Sequence, residues 1–175
     1  MGRPEDKTLQ RLLRQAEGYL ELSMPRHALQ LLRQIDQPDS HDFAFHLLNG
    51  MAHRDLQDYR QALVFLEAAS RINSDSVTLQ MGLAWCYKRT DQLPRAIEAT
   101  EFAHHLNPKE PILMYNLACY LSLAGEKERA LNWLGQALRA SPSIAKMIPE
   151  ESDFDPLRHD PDFVKMIDMT NSPKT

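Results

Sequence analysis

Apolar residues along this chain fall at helical spacing in successive stretches, and the stretches come in pairs joined by about three residues. Short links of this kind predict antiparallel neighbouring helices. Pro25, and Asp91 ahead of a Leu-Pro pair, are read as helix starts. Gly125 is read as the end of a helix that begins near Pro111, because glycine tolerates a positive φ. The pattern predicts an all-α chain built from helix pairs.

The helix pairs repeat with a fixed period. Alanines recur at a constant interval, at Ala28, Ala62, Ala96 and Ala130. Twelve residues before each of them stands a small residue: Ala16, Gly50, Ala84 and Ala118. Small side chains at fixed positions let two helices cross closely, and a helix pair of this kind completes its core against its neighbours. We therefore expect a stack of repeats.

This pattern resembles the tetratricopeptide repeat, and the resemblance covers roughly residues 9–142. It implies an α-solenoid of antiparallel helix pairs whose first helices line a concave surface that binds protein segments. The implied domain order begins with a tail (1–8) and four repeats (9–42, 43–76, 77–110 and 111–142). A capping segment (143–169), like that closing many bacterial arrays, and a disordered tail (170–175) follow.

The segment after Pro142 departs from the repeat and contains two Asp-Pro pairs, at Asp155 and at Asp160. Each pair is read as an N-cap aspartate followed by proline at the first helical position. A solenoid needs a terminal cap. The side chains expected to fold back onto Trp133 and Leu134, or their neighbours, are those of Phe154, Leu157, Phe163 and Ile167.

Composition narrows the class of protein. The chain has 175 residues, 43% hydrophobic residues and a formal net charge of −4, with both signs of charge interspersed. This balance argues against nucleic acid as a partner. The sequence contains no long apolar run of the kind that forms a secretion signal or inserts into a membrane. With only two cysteines and no CxxC motif, the sequence predicts a cytoplasmic protein in a reducing environment.

No motif for catalysis or metal binding is found in the sequence. His46 and His53 lie seven residues apart on one helix face, but the family that the pattern resembles has aromatic residues in both repeat columns, which implies packing. Cys86 and Cys119 have no histidine in their columns, which favours buried thiols over nucleophiles. We therefore predict no catalytic residue, no metal and no cofactor, and a protein that is not an enzyme.

The candidate binding site lies on the first helices, which the resemblance places on the concave surface. Helical spacing selects large apolar residues and a few basic ones: Leu13, Leu47, Met51, Arg54, Met81, Trp85, Lys88, Arg89, Tyr115 and Cys119. Met, Trp and Tyr are frequent at adaptable interfaces. For Leu47 and Met81 the alternative is that they only close the seam between helices.

Three functions remain open at this point. The first is an interaction module or adaptor whose groove holds a partner segment by apolar anchors, while Arg54, Lys88 and Arg89 orient an acidic group. The second is a cargo chaperone of the bacterial type III secretion kind. The third is a homo-oligomeric scaffold in which another copy occupies the groove or the cap.

Overall fold

The computed structural model describes residues 4–35 and 42–171, and all regular elements within these ranges are helical. The nine α-helices of the described residues are α1 (Pro4–Glu21), α2 (Pro25–Leu32), α3 (Phe43–Asp55), α4 (Tyr59–Ile72), α5 (Val77–Arg89), α6 (Leu93–Leu106), α7 (Pro111–Leu123), α8 (Lys127–Ala140) and α9 (Pro161–Asn171). Three short 3-10 turns join α8 to α9: Pro142–Lys146, Ile148–Glu150 and Ser152–Leu157. The all-α prediction is confirmed.

Helix boundaries agree with the repeat period. The first residues of α3, α5 and α7 are Phe43, Val77 and Pro111, which are spaced at the same interval as the alanines. α1 begins earlier than the first repeat, at Pro4, because proline suits the first position of a helix. It therefore includes residues predicted to be a tail, and α9 likewise continues to residue 171. The remaining tail residues, 1–3 and 172–175, lie outside the described residues.

Each link between a first and a second helix has three residues, and its central residue has a positive φ. These central residues are Ser23 (56°), Gln57 (63°), Asp91 (60°) and Gly125 (75°). Gly125 thus has the conformation predicted from its sequence position. The interpretation of Asp91 as a helix start is wrong, because Asp91 occupies the turn and Gln92 is the N-cap of α6.

The chain forms two compact units, residues 1–91 and 92–175. The first unit contains α1–α5 in two layers. First helices α1, α3 and α5 contact one another in order, and α2 and α4 pack against the first helices before and after them. Ala28 and Ala62 are completely buried, as the alanine column requires of close helix crossings.

The second unit contains α6–α9. Helix α7 packs against α6 and α8, α9 packs against α8, and the 3-10 turn Ser152–Leu157 lies on α7. Ala96 and Ala130 are again completely buried. None of the helices within the described ranges is both long enough and apolar enough to cross a membrane.

The capping segment folds back onto its unit and packs against α8, the helix that contains Trp133 and Leu134. Phe154, Leu157 and Phe163 are buried. Phe154 contacts Tyr115 of α7, and the Trp133 ring packs edge-on against His104 at a centroid distance of 4.8 Å. Trp133 is therefore part of the helix packing, because its ring points to α6.

The two Asp-Pro pairs of the cap behave differently. Asp160 accepts hydrogen bonds from the backbone N–H groups of Asp162 and Phe163, which confirms it as the N-cap of α9. Lys127 also pairs with Asp160 at 2.7 Å, and this ion pair raises the pKa of Lys127 and lowers that of Asp160. The prediction for Asp155 is wrong, because Asp155 lies inside a 3-10 turn and accepts a hydrogen bond from Arg158.

Two helical glycines give a matched test of the close crossings. A Cβ at Gly50 in α3 would lie 2.5 Å from Leu66 Cδ2 and 3.2 Å from the Leu66 backbone nitrogen, whereas a Cβ at Gly18 in α1 meets nothing within 4 Å. We expect Gly50→Ala to lower the free energy of unfolding by about 1–3 kcal/mol through overpacking. We expect Gly18→Ala to raise it by about 1 kcal/mol through helix propensity. Urea unfolding of both variants measures the difference, and two shifts of the same sign would contradict the close crossing.

The open face of α3 and α5

Four apolar residues of the predicted groove lie on neighbouring first helices of the first unit. Leu47 and Met51 are four residues apart on α3, and Met81 and Trp85 occupy the same positions on α5, one repeat later. We call these four residues the open face. Leu47, Met51 and Met81 are half-buried, whereas the Trp85 side chain is 43% exposed. Trp85 is thus the most prominent apolar group of the face.

The close approach of α3 to α5 depends on the small-residue pattern. Met51 lies over Gly82, where its Sδ would be 3.2 Å from an added Cβ. The missing side chain therefore leaves room for the Met51 thioether between the helices. Leu47 and Met81 are half-buried as well, and their role in binding rather than in closing this seam stays a prediction.

Three basic side chains follow the apolar residues along α3 and α5. Lys88 Nζ lies 5.6 Å from the centroid of the Trp85 ring, and the Arg89 guanidinium lies 5.2 Å from that of Tyr59. Arg54 donates a 2.7 Å hydrogen bond to Asp55. Cation–π contacts at exposed sites contribute roughly 0.5–1 kcal/mol, enough to bias where a cation rests. Sequence spacing did not reveal Tyr59, because its position follows from the packing of α4 on α5.

The thiol of Cys86 lies on the inner side of α5 and is completely buried. Burial raises its pKa to about 11, against a smaller opposing effect from Arg54. A thiol with this pKa is almost entirely protonated at neutral pH. Its position agrees with the sequence-based interpretation of a packing residue.

We expect neither cysteine to react readily with a thiol reagent in the folded protein. Cys86 and Cys119 are both buried, and neither forms a disulfide. At pH 8, a pKa of about 11 leaves roughly one thiolate in a thousand, so Cys86 should label at least about a hundredfold more slowly than in guanidinium. Below pH 11 the labelling rate of Cys86 should rise with pH. Mass spectrometry of Cys86→Ala and Cys119→Ala variants measures each site, and rapid labelling of native Cys86 would contradict its burial.

Three predicted groove residues are buried, so their assignment to an open surface is corrected. Leu13 is 5% exposed because it belongs to a buried core cluster of α1, α2 and α3 that includes Ala28 and Leu48. Tyr115 and Cys119 of α7 are each 2% exposed. Helical spacing identified which residues share a face of each helix, but not what covers that face.

The cover over Tyr115 and Cys119 is the chain's own 3-10 turn Ser152–Leu157 with the preceding Glu151. The Phe154 ring lies 5.8 Å from that of Tyr115 at an interplanar angle of 73°. The Tyr115 hydroxyl donates to Glu151 Oε2 at 3.5 Å. Burial raises the Tyr115 pKa, and the nearby Cys119 and Glu151 raise it further. The phenol therefore stays neutral and acts as a donor.

The same contact brings together groups of the kind that bind cations. Cys119 Sγ and one carboxylate oxygen each of Glu151 and Asp153 lie within 4.8 Å of one another. Thiolate and carboxylate are both zinc ligands. However, Glu151 already accepts from the Tyr115 hydroxyl and the Asp153 backbone N–H, which accounts for its placement without a metal. The sequence did not indicate this group, because no motif spacing joins α7 to the cap.

The histidines considered as ligands are engaged in aromatic packing. The His53 ring stacks on Phe65 at 5.6 Å and 12°, and His46 lies 6.3 Å from the same ring.

An apolar groove is formed by α8 and α9 in the second unit, and it is lined by Leu138, Met166 and Met169 among others. Because it is also apolar, this groove is a reference surface for experiments on the open face.

Comparisons with known proteins identify the fold. No family model matches the chain. The chain is 28% identical over 120 residues to the BBSome complex member BBS4 of Xenopus tropicalis, which is 69% of this chain and 21% of that protein. It therefore spans about a fifth of the length of that relative.

Solved structures with the same helix arrangement include YrrB, described as a TPR protein with an unusual peptide-binding site. YrrB is 15% identical, with a TM-score of 0.77 that covers 96% of this chain and 91% of YrrB. MamA is 20% identical, with a TM-score of 0.69 over 78% of this chain and 80% of MamA. The chain thus has the tetratricopeptide-repeat fold.

Proposed function

We propose that this chain, which has the tetratricopeptide-repeat fold, is an interaction module. It would bind a segment of another protein on the open face of α3 and α5. The observation that carries the proposal is the exposure of Trp85 beside half-buried Met51 and Met81 on adjacent first helices. Trp is enriched among the residues that dominate binding energies, and flexible Met side chains adapt to different partners.

The charged residues beside the open face favour a protein segment as the ligand over a ligand that is entirely apolar. Lys88 and Arg89 lie within one turn of Trp85, so an apolar anchor and a carboxylate can be bound side by side. Such a combination of a buried anchor and a charged rim is typical of protein interfaces. The peptide-binding site named for YrrB supports the same use of the fold.

A selection experiment tests the proposal without a known partner. Random peptides displayed on phage are selected on the full chain and then titrated against the wild type and a Met81→Glu/Trp85→Glu variant. The control variant is Val64→Glu, because Val64 is 58% exposed on α4, outside the open face. We expect the selected peptides to lose at least about tenfold in affinity on the double variant only.

Two results would contradict the proposal. One is a set of selected peptides that binds the wild type and the double variant equally, which would place recognition elsewhere, for example on the groove of α8 and α9. The other is failure to select any peptide while light scattering shows a stable oligomer whose formation needs Trp85. That outcome would favour the scaffold alternative.

A further inference from the structure

The second unit shows what kind of segment packs on a first helix of this fold. Tyr115 and Cys119 of α7 follow Met81 and Trp85 of α5 by one full repeat, so each pair occupies equivalent positions. On α7 these positions are covered by residues 151–157, whereas on α5 they remain accessible at Trp85. The covered helix is therefore a template for the open one.

The covering segment combines one aromatic anchor with carboxylates on both sides. Phe154 is completely buried against Tyr115. Glu151 accepts from the Tyr115 hydroxyl, and the Asp153 carboxylate lies close to Cys119 Sγ. Asp155 follows on the other side of the anchor. The first-helix face thus accommodates an acidic segment in a 3-10 conformation, even on a helix that has no charged residue of its own.

The open helices carry basic residues where the covered helix does not. Arg54 of α3 and Lys88 of α5 occupy one repeat column, and the same column holds Ser122 on α7. Arg89 adjoins Lys88 and lies over Tyr59. Carboxylates next to an aromatic anchor would meet two cations on α5, and pairs of this type raise both affinity and selectivity.

From this correspondence we infer the partner's chemistry: the open face binds a short segment of another protein in which an aromatic side chain is flanked by carboxylates. The aromatic ring packs on Met81 and Trp85, and the carboxylates face Lys88 and Arg89. The inference rests on the proposed function and makes it specific. A second copy of this chain is a poor source of the segment, because its Phe154 is completely buried in its own cap.

The probe is a synthetic peptide of residues 151–157 with blocked termini, titrated into the full chain by isothermal calorimetry. One analogue carries Glu151→Gln, Asp153→Asn and Asp155→Asn, and a second carries Phe154→Ala. We expect the parent peptide to bind with a Kd below about 1 mM and each analogue to bind at least about tenfold more weakly. On a Lys88→Met/Arg89→Met protein the parent should weaken similarly, while the neutral analogue should not change.

The outcomes separate this inference from the proposed function. Equal affinity of the neutral and parent peptides would overturn the acidic requirement, and parent binding unaffected by Trp85→Ala would overturn its location. If the parent does not bind while library-selected peptides do bind at Trp85, the inference fails and the proposed function stands. If neither binds, both fail.

Discussion

Replacing Trp85 with alanine is expected to weaken the binding of an open-face peptide by about 2 kcal/mol, or about thirtyfold in Kd. The Trp85 ring is 43% exposed in the free protein and stands among the half-buried Met81 and Met51. A ligand that covers it removes a large apolar area from water, and the alanine variant loses that gain. The melting temperature should change little, because the ring fills no enclosed core space.

Trp133→Ala is the matched control for this substitution. The Trp133 ring is half-buried and packs edge-on against His104, so its removal should lower the free energy of unfolding, by about 2 kcal/mol, and leave peptide affinity unchanged. Titrations and melts of both variants separate the two roles. If Trp85→Ala unfolds the protein while its folded fraction binds normally, Trp85 is a core residue and the site lies elsewhere.

The second large effect concerns the cap. Phe154→Ala should lower the free energy of unfolding of the second unit by about 3–5 kcal/mol, because Phe154 is completely buried between Tyr115 and Phe163. The substitution Val164→Ala on α9 is the control. Val164 is an exposed residue of the same segment, so its loss should change stability by no more than about 0.5 kcal/mol.

Thiol labelling gives a local measure of the same effect. Loss of Phe154 should loosen the cover over Cys119 in the second unit, whereas Cys86 belongs to the first unit. We therefore expect labelling of Cys119 to accelerate in Phe154→Ala while Cys86 stays protected. An unchanged rate at Cys119, together with an unchanged urea midpoint, would show that the 3-10 turn does not cap α7.

The helix pairs were predictable because their determinants are local and repeated. The regularly spaced alanine column, the three-residue links and Gly125 each specify a helix crossing or a turn within a few residues. Asp91 was misread because aspartate is favoured both as an N-cap and in the left-handed region, and only the backbone distinguishes the two.

Surface exposure was harder to predict than secondary structure, because it depends on residues far along the chain. Tyr115 is covered by Phe154, which lies beyond the whole of α8 in the sequence. The sequence did contain one relevant signal. Helix α7 has no charged residue on any side, whereas α3 and α5 end in charged residues. A helix that is apolar all round is buried, so α7 could have been recognised as covered.

The most direct test of the account is NMR of the Met methyl groups during titration with a selected peptide. The chain has eight methionines, and they report on separate surfaces. Met51 and Met81 lie on the open face, Met114 is buried in α7, and Met166 and Met169 line the groove of α8 and α9. We predict that the methyl signals of Met51 and Met81 shift with peptide concentration while the other three stay in place. Shifts confined to Met166 and Met169, with Met51 and Met81 unchanged, would contradict the assignment of binding to α3 and α5.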